Sequence, residues 1–349
     1  MGMARRTAGV LRGAIFVALL AGMGGVSAET IAEASIRLAE EIQRIEDGMP
    51  GQMGVYVRHL TDDWSVSHRL DRDWYLASTI KVPLAVAVLQ RVEAGELALD
   101  HVLTLAETDL VDGAGDLLWH RPGHRFTVDD LLRRSIEDSD SSATDMLIRL
   151  LGEASFNRQV RERIAPTGFS RITTILQVRY DAYSEVHPAV GQLSNRDFIE
   201  LRSVHTQDAR YGMLLDKLGI EADDAVVSTS REAFERYYRR GLNSANLEAF
   251  GLLLERLLRG ELLAHVHTDR LLEYMQNIST GDRRIKAGLP NGVPFAQKTG
   301  TQIARACNVG ILDPRGAAVV VAACIEGFED LRTVEAAFEA LGRALYPAE

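Results

Sequence analysis

Hydrophobic positions near the start of the chain recur with a helical period, and this predicts an amphipathic helix. Beyond that helix, residues 53–58 and 64–70 form two short runs typical of strands, separated by the polar turn Thr61-Asp62-Asp63. This second pattern predicts two antiparallel strands. The apolar positions of the predicted helix are Ile31, Ala34, Leu38, Ile42 and Ile45.

Helical patterns dominate the middle of the chain, and strand patterns return near its end. A continuous apolar run over residues 82–89 predicts a buried helix, and most of the sequence from 78 to 275 is predicted to be helical. The elements predicted after residue 290 are strands over 295–299, 306–312 and 317–325 and a closing helix over 333–345.

Strands at both ends with helices between them predict an α+β fold. One antiparallel sheet is then built from the two ends of the chain, and an all-α lobe is inserted into it. We expect a single domain over residues 29–349, with a sheet lobe at about 29–76 and 276–349 and a helical lobe at about 77–275.

The first 28 residues carry the pattern of an export signal. Arg5, Arg6 and Arg12 form a positively charged region, and the apolar stretch over residues 14–21 follows it. The small residues Val26-Ser27-Ala28 then provide a cleavage site. The apolar stretch is too short to span a bilayer. We therefore expect cleavage after residue 28 and an exported protein, in the periplasm of a bacterium, with no membrane anchor after cleavage.

The net charge and the composition limit the classes of binding partner that we expect. The formal net charge is −10, and it falls to −13 without residues 1–28. Such an acidic chain argues against nucleic acid or an anionic membrane as a partner. The nine histidines show no metal-ligand spacing. We expect no metal and no other cofactor, a small molecule or short peptide as the substrate, and a monomer.

Two cysteines, Cys307 and Cys324, flank the last predicted hairpin, whose turn is placed at residues 313–316. Symmetric pairing across this turn sets Cys307 opposite Ala322. Cys324 is then a diagonal neighbour at roughly 7–8 Å, which is beyond ordinary disulfide reach. The expectation is two free, buried thiols, even in an oxidising compartment.

The segment Ser78-Thr79-Ile80-Lys81 stands at the start of the buried helix. Residues three apart in a helix lie on one face, so the serine hydroxyl and the lysine amine meet. An amine with a lowered pKa is able to take the proton of a serine nucleophile. Taken alone, such a pair is more often two surface side chains that merely share a helical turn.

Two further motifs follow in order. Ser139-Asp140-Ser141 precedes a second apolar helix, and Lys298-Thr299-Gly300 lies in the first late strand. The order S-x-x-K, S-D-N, K-T-G is the signature of class A β-lactamases and penicillin-binding proteins. The chain resembles a class A β-lactamase over about residues 35–175 and 243–345. The resemblance implies a three-layer α/β/α lobe beside an all-α lobe.

The resemblance also implies roles. Ser78 is expected to be the acylated nucleophile, Lys81 its general base or a partner in the proton relay, and Ser139 the proton donor to the leaving nitrogen. Lys298 is expected to hold a substrate carboxylate. The remaining positions expected at the substrate are Ser141, Thr299, Gly300, Thr301 with its backbone N–H in the oxyanion hole, and Arg305 as a second cation or an exposed strand arginine.

Three departures separate this chain from the family pattern. Ser141 replaces the usual asparagine, and Gly113-Ala114-Gly115 replaces a rim aromatic, for which Trp119 is the nearest substitute. The deacylating glutamate has no recognisable motif, and Glu185 is the only candidate, against the alternative of a solvated loop residue. The segment after the second motif is about 50 residues longer than expected, with an insertion at about 195–242.

Three functions therefore remain open from the sequence. The first is a serine hydrolase that opens β-lactam rings through an acyl-enzyme on Ser78. The second is a penicillin-binding relative with little turnover that acts as a D-Ala-peptidase or esterase. The third is a non-catalytic binding or sensor domain, against which the intact Ser78, Lys81, Ser139 and Lys298 argue.

Overall fold

The structure is a computed structural model that describes residues 28–346. The expected export signal lies outside the described residues, except for Ala28, where the first helix begins. The strands are β1 (Gln52–His59), β2 (Trp64–His68), β3 (Trp74–Tyr75), β4 (Val102–Thr104), β5 (Arg125–Thr127), β6 (Ser244–Ala245), β7 (Phe295–Gln302), β8 (Arg305–Leu312) and β9 (Val319–Glu326). The helices are α1 (Ala28–Asp47), α2 (Lys81–Glu93), α3 (Val128–Glu137), α4 (Ser141–Leu151), α5 (Glu153–Gln159), α6 (Ile175–Tyr183), α7 (Asn195–Glu200), α8 (Gln207–Leu218), α9 (Ser230–Tyr238), α10 (Leu247–Leu258), α11 (His265–Gln276), α12 (Ile285–Gly288) and α13 (Leu331–Leu345).

The main sheet joins early and late strands of the described chain. Its order is β2-β1-β9-β8-β7, and every neighbouring pair is antiparallel. The predicted strands and closing helix are confirmed, and the fold is α+β as predicted. Because β7 pairs only with β8, it forms an edge of this sheet.

The two faces of the sheet bury different apolar clusters. Val55 and Val57 of β1 point to the side covered by α1 and α13, where Ile42 and Phe338 are fully buried. Tyr56, between the two valines, joins the cluster of the helical side. This alternation is the period of a strand with both faces covered. It places one layer of helices on each side of the sheet.

Helix α2 runs through the centre of the helical side. Residues 81–89 are all buried, so a hydrophobic helix is held on all sides, as the apolar run predicts. It packs against α3 and α4, which carry the second motif between them. The nucleophile motif and the second motif are therefore fixed by the same core.

The segment between the second and third motifs forms a subcluster of its own. Helices α6 to α9 bury an apolar group that includes Phe198, Leu214 and Phe234. The helical character predicted for this part of the chain is confirmed, because α8 and α9 both lie within the insertion. Just beyond the insertion, β6 pairs with β3, so the end of this segment is tied to the strand that leads into Ser78.

The expectation of free cysteines is wrong. Cys307 and Cys324 face each other directly in the β8–β9 pair and form a disulfide with a Cα–Cα distance of 4.0 Å. The reason is the length of the connection. The loop extends over residues 313–318 instead of 313–316, so Leu312 pairs with Val319. Two extra loop residues shift the register and bring the cysteines opposite one another.

Within residues 28–346, no helix combines the length and the apolar character needed to cross a bilayer.

Candidate active site

Ser78 lies in a tight 3₁₀ turn, Ala77–Ile80, that leads directly into α2 at Lys81. Ala77 has a φ of 46°, a left-handed conformation that costs a non-glycine residue about 1–2 kcal/mol. Ser78 lines a cavity of about 520 Å³. Such strain is tolerated where the surroundings fix the backbone, and it commonly marks a functional site.

Lys81 is fully buried and turns its amine toward the second motif. Its Nζ donates to Ser139 Oγ at 3.1 Å and also to the Ser139 carbonyl oxygen. Burial lowers the pKa of Lys81 to about 8, although Asp140 and Asp145 act in the opposite direction. The amine is therefore able to give up its proton near neutral pH, which a general base requires.

The second motif forms the opposite wall. Ser139 has a φ of 54°, the second strained non-glycine residue beside the pocket. Asp140 caps α4 by accepting from Ala143 N at 2.8 Å and also accepts from Leu117 N at 2.9 Å. These bonds fix the turn so that Ser139 and Ser141 both line the pocket.

Strand β7 supplies the third wall. Thr299 and Thr301 line the pocket, and Lys298 is completely buried behind them. Burial lowers the pKa of Lys298 well below its ordinary value, and the neighbouring Lys81 and Arg284 lower it further. Three basic groups that repel one another form a favourable place for an anion.

Gly300 explains how close β7 comes to the nucleophile. A β-carbon at this position would overlap the Leu76 carbonyl oxygen and lie 3.1 Å from Ser78 N. Only glycine allows the strand to pack on the nucleophile turn at this distance. The close packing sets the backbone of Thr301 beside the turn that holds Ser78.

The second cation on the β7 side is Arg284, and the assignment of Arg305 to the substrate is corrected. The Arg305 guanidinium is bound by Glu235 at 2.7 and 2.9 Å and lies over the Tyr238 ring at 4.3 Å. It does not line the pocket. Arg284 does, and it donates to Thr301 Oγ1 at 2.5 Å and to the Gly300 carbonyl oxygen at 3.0 Å.

The α6 wall contains no carboxylate among the described lining residues. Ile175, Val178 and Arg179 line the pocket there, beside Asn243. Glu185 is not brought to the site, which corrects the sequence-based candidate. It follows the end of α6 and accepts from Arg240 Nε at 2.9 Å in an ion pair. The carboxylates that do line the described pocket are Asp282 and Glu335, beside Arg283 and Arg284.

Asn243 lines the pocket next to the α6 wall. Its amide donates to Tyr237 OH at 2.8 Å and to Thr173 Oγ1 at 2.9 Å, and its Oδ1 accepts from Thr173 N. Its backbone carbonyl accepts from Leu76 N at 2.9 Å. The asparagine therefore connects the insertion to the nucleophile turn.

The rim loop at Gly113 and Ala114 rests directly on the second motif. Ser141 N donates to the Ala114 carbonyl oxygen at 2.9 Å. From the other side, Arg179 donates to Asp112 Oδ2 at 3.0 Å, and Arg202 of the insertion donates to the Gly113 carbonyl oxygen. Trp119, the expected substitute for a rim aromatic, is 69% exposed and lies outside the pocket.

Sequence reasoning missed Arg284, Arg179 and Asn243. The deacylating glutamate of the resembled family stands in an E-x-x-L-N pattern. Leu242 and Asn243 match the last two positions of that pattern, but Arg239 stands at the position of the glutamate. Arg284 carries no local motif. Its only signal is its position fourteen residues before Lys298, in a segment that the chain folds back against β7 and β8.

The comparisons with known proteins show which family the chain resembles. The family model described as the beta-lactamase enzyme family matches residues 37–348. A β-lactamase of Rhodobacter capsulatus is 39% identical over 125 residues, covering 36% of this chain and 41% of the relative. The chain thus matches less than half the length of that relative. β-Lactamase L2 of Stenotrophomonas maltophilia is 24% identical over 285 residues, covering 82% of this chain and 75% of the relative.

Solved structures share the fold. A point mutant of PBP-A, solved as an acyl-enzyme complex with penicillin G, aligns with a TM-score of 0.64 at 22% identity, over 89% of this chain and 95% of its own. A β-lactamase from Xanthomonas campestris pv. campestris aligns with a TM-score of 0.66 at 22% identity, over 89% and 97%.

Proposed function

The chain belongs to the β-lactamase enzyme family, and on that premise we propose that it is a serine hydrolase that opens β-lactam rings through an acyl-enzyme on Ser78 and releases the acyl group slowly. The observation that carries the proposal is the contrast between two walls of one pocket. On the wall that serves acylation, Lys81 is hydrogen-bonded to Ser139. The α6 wall presents isoleucine, valine and arginine.

Acylation begins with the attack of Ser78 Oγ on the lactam carbonyl carbon. The hydroxyl proton passes to the neutral Lys81 amine, for which a pKa of about 8 leaves a useful neutral fraction at neutral pH. The oxyanion accepts hydrogen bonds from the backbone N–H groups of Ser78 and Thr301. The C–N bond then breaks, and the ring nitrogen takes a proton from Ser139, which is replaced from Lys81 across their 3.1 Å hydrogen bond.

The substrate carboxylate is bound at the other end of the pocket. Lys298 and Arg284 supply the charge, and Thr299 and Thr301 supply hydroxyl groups. Binding an anion there relieves the repulsion among the buried cations, so a carboxylate-bearing substrate is favoured over a neutral one.

Deacylation requires a base that removes a proton from water. The carboxylates among the described lining residues, Asp282 and Glu335, stand at the arginine end of the pocket. Asp145 is fully buried behind α6, where both of its oxygens accept from the backbone at Ile175 and Leu176. Because the described α6 wall has no carboxylate, the acyl-enzyme lacks an efficient route to hydrolysis.

The deciding experiment is the intact mass of the protein after brief and long exposure to a penicillin. Because ring opening expels no atoms, the adduct adds the whole mass of the antibiotic. We expect an adduct that forms within seconds and persists, and that Ser78→Ala abolishes. If no adduct is detected at either time, the proposal is overturned. If an adduct is detected after brief exposure but is gone after long exposure, slow release of the acyl group is overturned.

A further inference from the structure

A second cavity, of about 710 Å³, adjoins the catalytic pocket. It shares Thr301, Gln302 and Leu331 with that pocket. We propose that this cavity, named here the insertion chamber, binds the acyl-side extension of a peptide substrate, an inference that rests on the proposed acyl-enzyme chemistry. The substrate class is a peptide that is cleaved near its carboxyl end and has several residues before the scissile bond.

The position of the chamber along β7 determines which part of a substrate reaches it. Lys298, at the carboxylate end, precedes Thr301 and Gln302 by three and four residues. At about 3.3 Å per residue, the chamber therefore begins roughly 10–13 Å from the lysine. When the substrate carboxylate is bound near Lys298 and the scissile carbonyl lies at Ser78, the acyl side of the substrate extends away from Lys298. It then extends along β7 toward the chamber.

The insertion builds one wall of the chamber. Gln207 and Asp208 come from the start of α8, and Thr229 to Arg231 come from the start of α9. The facing wall is the β7–β8 turn and the segment before α13. The walls are tied together, because Tyr238 OH donates to the Ile303 carbonyl oxygen at 2.8 Å. The chamber is thus a formed feature of the insertion.

The lining of the chamber suits a peptide backbone. Ser230 is 1% exposed, and its hydroxyl has no hydrogen-bond partner within the described residues. A buried polar atom is rarely left without a partner, and beside a cavity a ligand is able to supply one. Asp208, Arg231 and Glu329 also face the chamber, and the ion pairs of the described chain involve none of them. Ile303, Ala304, Phe328 and Leu331 form an apolar part of the same lining, so the chamber offers both the polar and the apolar contacts that a peptide with side chains makes.

The test compares two thioester substrates that share one D-Ala-type leaving group. The first carries an N-acetyl group as its acyl-side end, and the second carries three further residues. We expect kcat/KM for the long substrate to exceed that for the short one by about tenfold or more, because remote contacts contribute to the transition state.

Substitutions then locate the effect. Gln207→Trp is expected to fill the chamber and bring the ratio to about one, without changing the short substrate. Ala209→Trp is the matched control. It is exposed on the same helix and, at two residues' distance, points about 200° away, outside the lining. Ser230→Ala is expected to raise KM for the long substrate alone, whereas a purely structural hydroxyl would affect both substrates or neither.

The outcomes separate the two proposals. Equal kcat/KM for long and short substrates in the unmodified protein overturns the peptide assignment, while a penicillin adduct on Ser78 leaves the proposed function intact. A preference that survives Gln207→Trp, or that Ala209→Trp removes equally, overturns the chamber as its location. Failure of the penicillin and of both thioesters to acylate Ser78 overturns the proposed function instead.

Discussion

Gly113 and Ser141 pack so closely that a β-carbon on residue 113 would overlap the serine hydroxyl. The same rim loop gives a carbonyl to Ser141 N through Ala114. Two departures from the family pattern, a serine in the second motif and glycines at the rim, are therefore one structural change. The rim loop packs directly on the motif, and the short side chain at 141 leaves room for it.

Gly113→Ala is expected to destabilise the protein by about 1–3 kcal/mol, the usual cost of overpacking a tight contact. Urea or thermal unfolding measures the loss. Gly191→Ala is the matched control, because an added β-carbon there meets nothing within 4 Å. If the contact with Ser141 is the cause, the same alanine costs less in a Ser141→Gly background. Equal costs in both backgrounds would contradict this explanation.

Lys298→Ala is expected to weaken the use of carboxylate-bearing substrates more than that of neutral esters. A hydrogen bond to a charged group contributes roughly 1.5–3 kcal/mol, which corresponds to about ten- to a hundredfold in kcat/KM. Acylation rates for a penicillin and for a neutral ester give the two values. If both substrates lose activity equally, Lys298 does not bind the carboxylate.

The sequence was informative where chemistry requires a fixed spacing or a fixed order. The pair Ser78 and Lys81, the serine at 139 and the lysine at 298 each stand in a motif, and the hydrophobic periods around the motifs predict the elements that carry them. In the structure Ser78 and Ser139 line one pocket, while Lys81 is buried against Ser139 and Lys298 is buried behind the lining residue Thr299.

The missed features depend on distances that the sequence does not contain. Arg305 and Arg284 are both basic residues near the third motif. Which of them faces the pocket is decided by Glu235 of the insertion, which binds Arg305. The cysteine pairing likewise depends on the length of one loop, because a change of two residues converts a diagonal pair into an opposite pair. Such outcomes follow from long-range packing.

The rate of acylation is expected to rise with pH up to about 8. The neutral amine of Lys81 is the reactive form, and burial lowers the pKa of this group to about 8. Below that value, each pH unit lowers the neutral fraction about tenfold, and above it the rate levels off. Stopped-flow acylation by a neutral ester isolates this titration from the charge of Lys298. A rate that is constant between about pH 6 and pH 9 would exclude Lys81 as the base.

With a carboxylate-bearing substrate, the same profile is expected to fall again at higher pH. Burial and two neighbouring cations lower the pKa of Lys298, so this group loses the charge that binds the substrate as the pH rises. The rising limb is therefore shared by both substrates, and the falling limb belongs to the charged one. Lys298→Ala should remove the falling limb and keep the rising one. A falling limb that persists in this variant would assign the loss to another group.

The last prediction concerns the missing deacylation base. Ile175 lines the pocket that contains Ser78, and its backbone N–H donates to Asp145 Oδ1 at 2.7 Å, which fixes its place on the wall. Ile175→Glu adds a carboxylate there. We expect steady-state β-lactam hydrolysis to rise by at least about tenfold, short of the roughly 10²–10⁴-fold of an evolved general base, while the acylation burst keeps its rate.

Two variants make this result specific. Ile175→Gln has nearly the same shape but no basic oxygen, so it should leave the slow phase unchanged. Glu185→Gln should also leave it unchanged, because Glu185 is held by Arg240 away from the pocket. Pre-steady-state kinetics with a chromogenic cephalosporin separate the burst from the slow phase. A different result would contradict this prediction: Glu185→Gln stalls the slow phase, and Ile175→Glu does not accelerate it. In that case the lack of a carboxylate at residue 175 does not limit hydrolysis. The water would then be activated by Glu185 itself, after a movement that breaks its ion pair with Arg240 and brings the carboxylate to the pocket.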